Sequence, residues 1–206
     1  MKKAPVVALT SGGEDSGVLA DELAASGRVV FPLFVRCGFL WEEAELRRLR
    51  RQLRAIRRPN LKPLTVMSAK ALMIPERHWS RDGRGTPSDR DAWDSVYLPG
   101  RNLLLLTCAA ALAHRVGARE IAIATLAGNP FPDATRAFFR DMERAIRDSF
   151  KLPARVIAPY RSLSKEQVRR RRPDFPFHLT FSCLRPKAGL ACGRCSKCGE
   201  RDGRRP

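Results

Sequence analysis

A chain of 206 residues, 44% of them hydrophobic, can close one sizeable core and has no need to split into several domains. Its longest apolar run, Leu103–Ala113, is broken by Thr107 and is too short to cross a bilayer; only Lys2 and Lys3 precede the first apolar stretch, so a signal peptide is not expected and the cytoplasm is the expected location. The net charge of +18 comes mainly from arginine, which supplies 31 of the 39 basic residues; a polyanionic partner and a solvated arginine-rich surface both satisfy it, and the second is preferred.

Val6–Thr10 reads as a strand and Ser16–Ala25 as a helix closed by Gly27. Val29–Val35 is a second strand, continuously apolar as buried parallel strands are. In Glu42–Ile56, Leu49, Leu53 and Ile56 recur at helical spacing, so the arginines between Arg47 and Arg58 fall on the wet side of an amphipathic helix. Leu61–Val66 is a third strand. The rhythm then fails from Pro75 to Pro99, in a polar stretch containing WSRDGRGTPSDRDAWDS, which suits a lid or a disordered segment. His78 and Trp79 within it are expected to be an exposed pair.

Asn102–Val116 reads as a buried helix and Glu120–Thr125 as a fourth strand. Asp133 is placed to cap a helix over Ala134–Phe150, which shows Phe138, Met142 and Ile146 on one face. Arg155–Ala158 is a fifth strand, and Ser164 opens a helix over Lys165–Arg172. Strands separated by helices predict an α/β fold, a doubly wound, Rossmann-like parallel sheet in a single domain over 1–206. Within it, residues 174–206 form a C-terminal segment rich in Pro, Phe, Cys and basic residues.

In such a sheet, ligands bind beyond the carboxyl ends of the strands. Ser11-Gly12-Gly13-Glu14-Asp15-Ser16 lies at one such end. Two glycines let the backbone turn sharply and approach a ligand, and the serine hydroxyls and the helix start favour an anion such as phosphate. The spacing is neither that of a Walker A loop nor G-x-G-x-x-G. The same residues also suit an ordinary strand-to-helix turn.

Cys183, Cys192, Cys195 and Cys198 form C-x8-C-x2-C-x2-C. Paired C-x2-C bites plus an upstream cysteine complete a tetrahedral four-thiolate site, expected to hold structural zinc; an iron–sulfur cluster is the competitor. Arg185, Lys187, Arg194 and Lys197 are expected to offset its negative charge. Cys37 and Cys108 are expected as small core residues, although Cys37 follows the second strand on the expected ligand side.

SGGEDS resembles the SGG-x-DS signature of the PP-loop ATP pyrophosphatases, of the adenine nucleotide alpha hydrolase type. That resemblance implies that Leu9, Thr10, Ser11, Gly12, Gly13, Asp15 and Ser16 bind ATP, with Mg²⁺, and that Asp15 and Ser16 belong to the catalytic set. Taken with the cysteine tail, with Pro99-Gly100-Arg101-Asn102, with NPFPDATRAFF and with Thr180-Phe181-Ser182-Cys183, the chain resembles the 7-cyano-7-deazaguanine synthases of the queuosine and archaeosine pathways. The resemblance implies ATP-dependent conversion of 7-carboxy-7-deazaguanine and ammonia to the nitrile through an adenylated carboxylate. It places Arg101 in catalysis and Arg101, Asn102 and Asp133 at the substrate, with Zn²⁺ on the cysteines.

A homodimer is compatible with this reading, nucleic acid is not the favoured partner, and no membrane is involved. The sequence departs from the family at VRCGFLWEEAEL, where a D-Y-G-Q-type segment is common, at Glu76–Ser95, and at Gly17, where Ser or Thr is usual. Glu14 adds a charge beside the expected phosphates. The alternatives are a PP-loop enzyme that adenylates another carboxylate or a tRNA base, with a catalytic cysteine such as Cys37, and a non-enzymatic zinc-ribbon nucleic-acid binder. The last leaves the glycine loop unexplained.

Overall fold

The computed structural model describes residues 4–69 and 74–204; Lys2 and Lys3 lie outside them. Five strands form one parallel sheet: β1 (Val6–Leu9), β2 (Val30–Arg36), β3 (Thr65–Ser68), β4 (Glu120–Ala122) and β5 (Arg155–Ile157). Their order is β3-β2-β1-β4-β5. The chain winds outward from β1 to β3, then crosses back to the other side of β1 for β4 and β5. The strand order thus reverses between β1 and β4, and open α/β sheets bind ligands beyond the carboxyl ends of the strands at such a reversal.

The strand period of two divides the core. Val6 and Ala8 pack on one face with α1 (Glu14–Ala25), Tyr160, Phe175 and Val168 of α6 (Lys165–Arg171). Val7 and Leu9 face the other way, against α4 (Arg101–Val116) and α5 (Arg136–Phe150). The basic helix α2 spans Glu42–Ile56, with Leu46, Leu49 and Gln52 buried and Arg47, Arg50, Arg51 and Arg54 exposed, as the sequence period requires.

Several boundaries depart from expectation for local reasons. Leu61 makes only an isolated bridge to Val30, and the β3 ladder begins later, with Thr65 opposite Leu33. Pro63 lacks the N–H a ladder needs, so pairing starts beyond it. The cap of α5 is Thr135, whose hydroxyl accepts from Phe138 N at 3.1 Å, and not Asp133. Pro132 starts a separate 3₁₀ turn that carries Asp133 away from the helix axis. Gly17 is required by packing: a Cβ there would lie 2.5 Å from the Phe175 ring and 2.9 Å from Gln52 Oε1.

The long polar stretch is structured in part, through α3 (Trp79–Asp82) and a 3₁₀ turn at Trp93–Val96. It is pinned to the cysteine segment: Ser196 N donates to Pro87 O at 2.9 Å, and Asp89 pairs with Arg204 at 2.9 Å. His78 accepts from Ser80 N, while half-buried Trp79 stacks on buried Trp41 with ring centroids 5.8 Å apart, so the pair is not an exposed one. Among the described residues, no helix is long and apolar enough to cross a membrane.

Candidate functional site

The loop between β1 and α1 is built by contacts that fix its backbone while leaving its helix-start amides outward. Gly12 has φ +81°, a conformation that favours glycine, and a Cβ would fall 2.6 Å from the Glu45 carbonyl oxygen of α2. Its own carbonyl accepts from Gln52 Nε2 at 2.6 Å and from Phe181 N at 2.9 Å. Ser16 Oγ accepts from Ser11 N at 3.1 Å, and Ser11 Oγ accepts from Gly13 N at 3.3 Å. No side chain caps α1 at Gly13, so the first-turn amides remain available to an anion.

Glu14, the charge beside the expected phosphates, is held by a cation of α6. It is buried and receives a two-pronged contact from Arg169 of α6, Nε to Oε1 at 2.6 Å and Nη2 to Oε2 at 2.9 Å. The pairing cancels its charge before it can oppose a phosphate. Asp15 is different. Its Oδ1 is buried without a hydrogen-bond partner among the described residues, and burial raises its carboxyl from 3.8 to about 6 although Lys165 pulls the other way. A lone inward carboxylate oxygen beside free amides is a donor suited to a hard divalent cation such as Mg²⁺.

Two neighbours of this carboxylate were missed in the sequence. Lys165 opens α6 and Glu200 lies on α7 (Ser196–Arg201). Lys165 Nζ donates to Glu200 Oε1 at 3.0 Å, and Lys197 Nζ donates to Oε2 at 2.7 Å. Burial works to raise the Glu200 carboxyl, but Lys197 and Lys165 outweigh it and hold it at about 2. Lys165 carried a readable signal, since a cation in the first turn of a helix opposes the helix dipole. Gln52 carried another, as an amide inside the apolar stripe of α2.

Arg101 opens α4, with its guanidinium 5.5 Å from the Phe39 ring centroid and its Nε buried without a partner among the described residues. Phe39 in turn stacks on Trp41, centroids 4.7 Å apart. Glu45 faces this cation; burial pushes its carboxyl up to about 8, against the pull of Arg101. Asn102 and Asp133 come together: Asp133 Oδ2 accepts from Asn102 N at 3.0 Å, and Asn102 Nδ2 donates to Asp133 O at 3.0 Å. Asp133 is thus a cap, but of α4. Thr125, beyond β4, has a buried hydroxyl without a partner among the described residues. Cys37 is buried, and that burial pushes its thiol up to about 11, which is the wrong direction for a nucleophile.

The four sulfurs of Cys183, Cys192, Cys195 and Cys198 lie within 4.8 Å of one another. Cys195 and Cys198 are 3.5 Å apart, Cys183 and Cys195 3.9 Å, and Cys192 and Cys198 3.9 Å. Sulfurs about 2.3 Å from one tetrahedral zinc are about 3.8 Å from each other, so the residues fit that ion. Backbone amides of Leu184 and Cys192 donate to Cys195 and Cys183 sulfurs, each at 3.3 Å, which supports thiolate charge. Lys197, expected to offset the cluster, turns instead to Glu200 and lies 5.7 Å from the Trp93 ring centroid.

Residues 5–203 match the family model described as queuosine biosynthesis protein QueC. The chain is similar to the 7-cyano-7-deazaguanine synthase of Methanothrix thermoacetophila, 31% identical with 95% of this chain and 91% of the relative covered. It is also similar to those of Anaeromyxobacter dehalogenans (30%, covering 95% and 88%) and of Leptospira interrogans serovar copenhageni (29%, covering 93% and 82%). Among solved structures, it resembles a 4-thiouridine synthetase in complex with RNA and bound ATP, with TM-score 0.55 and 16% identity over 97% of this chain and 49% of that one. A predicted subunit of tRNA methyltransferase from Methanocaldococcus jannaschii aligns with TM-score 0.51 and 15% identity, over 83% of this chain and 75% of that one. At these identities the two structures speak for fold alone.

Proposed function

We propose, for a chain that belongs to the QueC family of queuosine biosynthesis proteins, that it is an ATP-dependent ligase converting 7-carboxy-7-deazaguanine and ammonia to 7-cyano-7-deazaguanine. The observation that carries this reading is the buried, unpartnered oxygen of Asp15, beside outward amides at the reversal between β1 and β4. That constellation suits a nucleotide phosphate with its cation.

In the reaction, a carboxylate oxygen of the substrate attacks the α-phosphorus of ATP and pyrophosphate leaves. Ammonia then displaces AMP to give the amide. A second ATP activates the amide oxygen in the same way, and loss of AMP and two N–H protons leaves the nitrile. Leu9, Thr10, Ser11, Gly12 and Gly13 frame the phosphate site, where the first-turn amides and Ser16 bind the leaving pyrophosphate. Asp15 would hold Mg²⁺, which supplies charge neutralisation at the phosphates.

Arg101, with an unsatisfied Nε, faces the carboxylate that becomes the adenylate. Asn102 and Asp133 fix the start of α4 and present the remaining carboxylate valence to the donor edge of the deazaguanine. Cys183, Cys192, Cys195 and Cys198 would hold zinc, which supplies a structural crosslink. The raised Cys37 thiol disfavours a thiol-dependent tRNA enzyme.

Incubation with ATP, Mg²⁺, ammonium and 7-carboxy-7-deazaguanine should yield AMP, pyrophosphate and the nitrile by mass spectrometry. ADP as the product would overturn the nucleotide chemistry. AMP without nitrile would point to a different carboxylate, in keeping with the aromatic wall of Phe39, Trp41 and Trp79.

A further inference from the structure

The cysteine segment meets the nucleotide loop where Phe181 N donates to Gly12 O, and its last helix carries Glu200 to Lys165 of α6. Glu200 follows Cys198 by two residues on α7, whose N-cap is Cys195, so two of the four cysteines and this carboxylate share one short helix. Its two oxygens are both taken, by Lys165 of α6 at 3.0 Å and by Lys197 at 2.7 Å. Asp15 lies close enough to feel Lys165, Lys197, Glu200 and its neighbour Glu14. Glu14 is already bound to Arg169. Among the described residues Lys165 forms its ion pair with Glu200 and none with Asp15, whose Oδ1 stays unpartnered.

A lysine free to turn would pair with that buried carboxylate. Such a pair would occupy the oxygen that a divalent cation needs and add a positive charge at the same point. We propose that Glu200 is a positioning residue: by holding Lys165 away from Asp15, it keeps the Asp15 carboxylate open to the divalent cation that accompanies ATP. This rests on the nucleotide reading of the loop. It gives the C-terminal segment a role beyond carrying a metal, because α7 sets the state of a carboxylate on α1.

The test measures Mn²⁺ binding by electron paramagnetic resonance at saturating α,β-methylene-ATP, with zinc content measured in parallel. Glu200→Gln should raise the Mn²⁺ concentration for half-saturation about tenfold, the weight of one charge-assisted contact that the ion must displace. Adding Lys165→Met should restore it towards the wild-type value, because no lysine remains to pair with Asp15. Glu200→Asp should fall between wild type and Glu200→Gln. If Glu200→Gln does not fold, Glu200→Asp with and without Lys165→Met carries the same comparison.

Unchanged Mn²⁺ binding in Glu200→Gln overturns the inference, as does a double variant no better than the single one. Loss of zinc in Glu200→Gln also overturns it, since the residue would then act on the cysteines and not on Lys165. A wild-type protein that binds neither the analogue nor Mn²⁺ overturns the nucleotide reading itself. Wild-type binding of both, beside an unaltered Glu200→Gln, overturns this inference alone.

Discussion

Replacing Asp15 with asparagine removes a charge that the fold holds against its preference. Burial raises this carboxyl from 3.8 to about 6, so between those values the folded chain retains a proton that the unfolded chain has released. Stability therefore falls as pH rises through that window, and at neutral pH the ionised group is a standing cost to the fold. The shift corresponds to about 3 kcal/mol at most, and the partial exposure of the residue reduces this to about 2 kcal/mol. In a chain of this size that is a rise of about 4–8 °C in melting temperature for Asp15→Asn at pH 7.5.

The assay is thermal unfolding of wild type and Asp15→Asn without nucleotide or divalent cation, both with their zinc measured, at pH 7.5 and at pH 5. The advantage of the variant should narrow by about half at the lower pH, where most folded wild-type chains already carry the proton. The same variant should lose AMP formation, because an amide is a poor ligand for Mg²⁺. An Asp15→Asn protein no more stable than wild type at pH 7.5, or one with the same advantage at both pH values, would refute the argument that burial without a partner strains this site.

Other changes read different parts of the molecule. Arg169→Met should destabilise more than Glu14→Gln in urea unfolding, by about 3 kcal/mol against about 1, because it strands a buried carboxylate while the reverse frees a half-exposed guanidinium. Gly17→Ser, towards the residue usual in the family, should cost about 1–3 kcal/mol by driving a side chain into Phe175 and Gln52; truncating Phe175 to leucine in the same chain should recover part of it. Cys195→Ser should lose bound zinc, read by mass spectrometry of the intact protein, and with it the folded C-terminal segment.

The sequence alone determined much of the frame. Apolar periods set the five strands and the order of helices between them, since burial of one face is a local demand written into each segment. The limits of α2 and the inward face of Leu49 follow directly from that period, whereas Leu53 and Ile56 are half-buried and Leu46 joins the core in their place. The four-cysteine spacing and the SGGEDS loop were legible because their chemistry needs particular residue types at short range. Where the local pattern misled, a backbone constraint was responsible, as at Pro63, or a competing cap, as at Thr135.

Tertiary structure decided what long-range partners do to those residues. Glu14 looks hostile to phosphate until Arg169, 155 residues away, is seen to bind it. Asp133 looks like the cap of the helix that follows and is instead the cap of one that precedes it by 31 residues. The Lys165–Glu200 contact and the isolation of Asp15 likewise depend on α1, α6 and α7 meeting at one end of the sheet. A side chain's charge state and free valences belong to its neighbours in space, and a linear pattern carries only its neighbours along the chain.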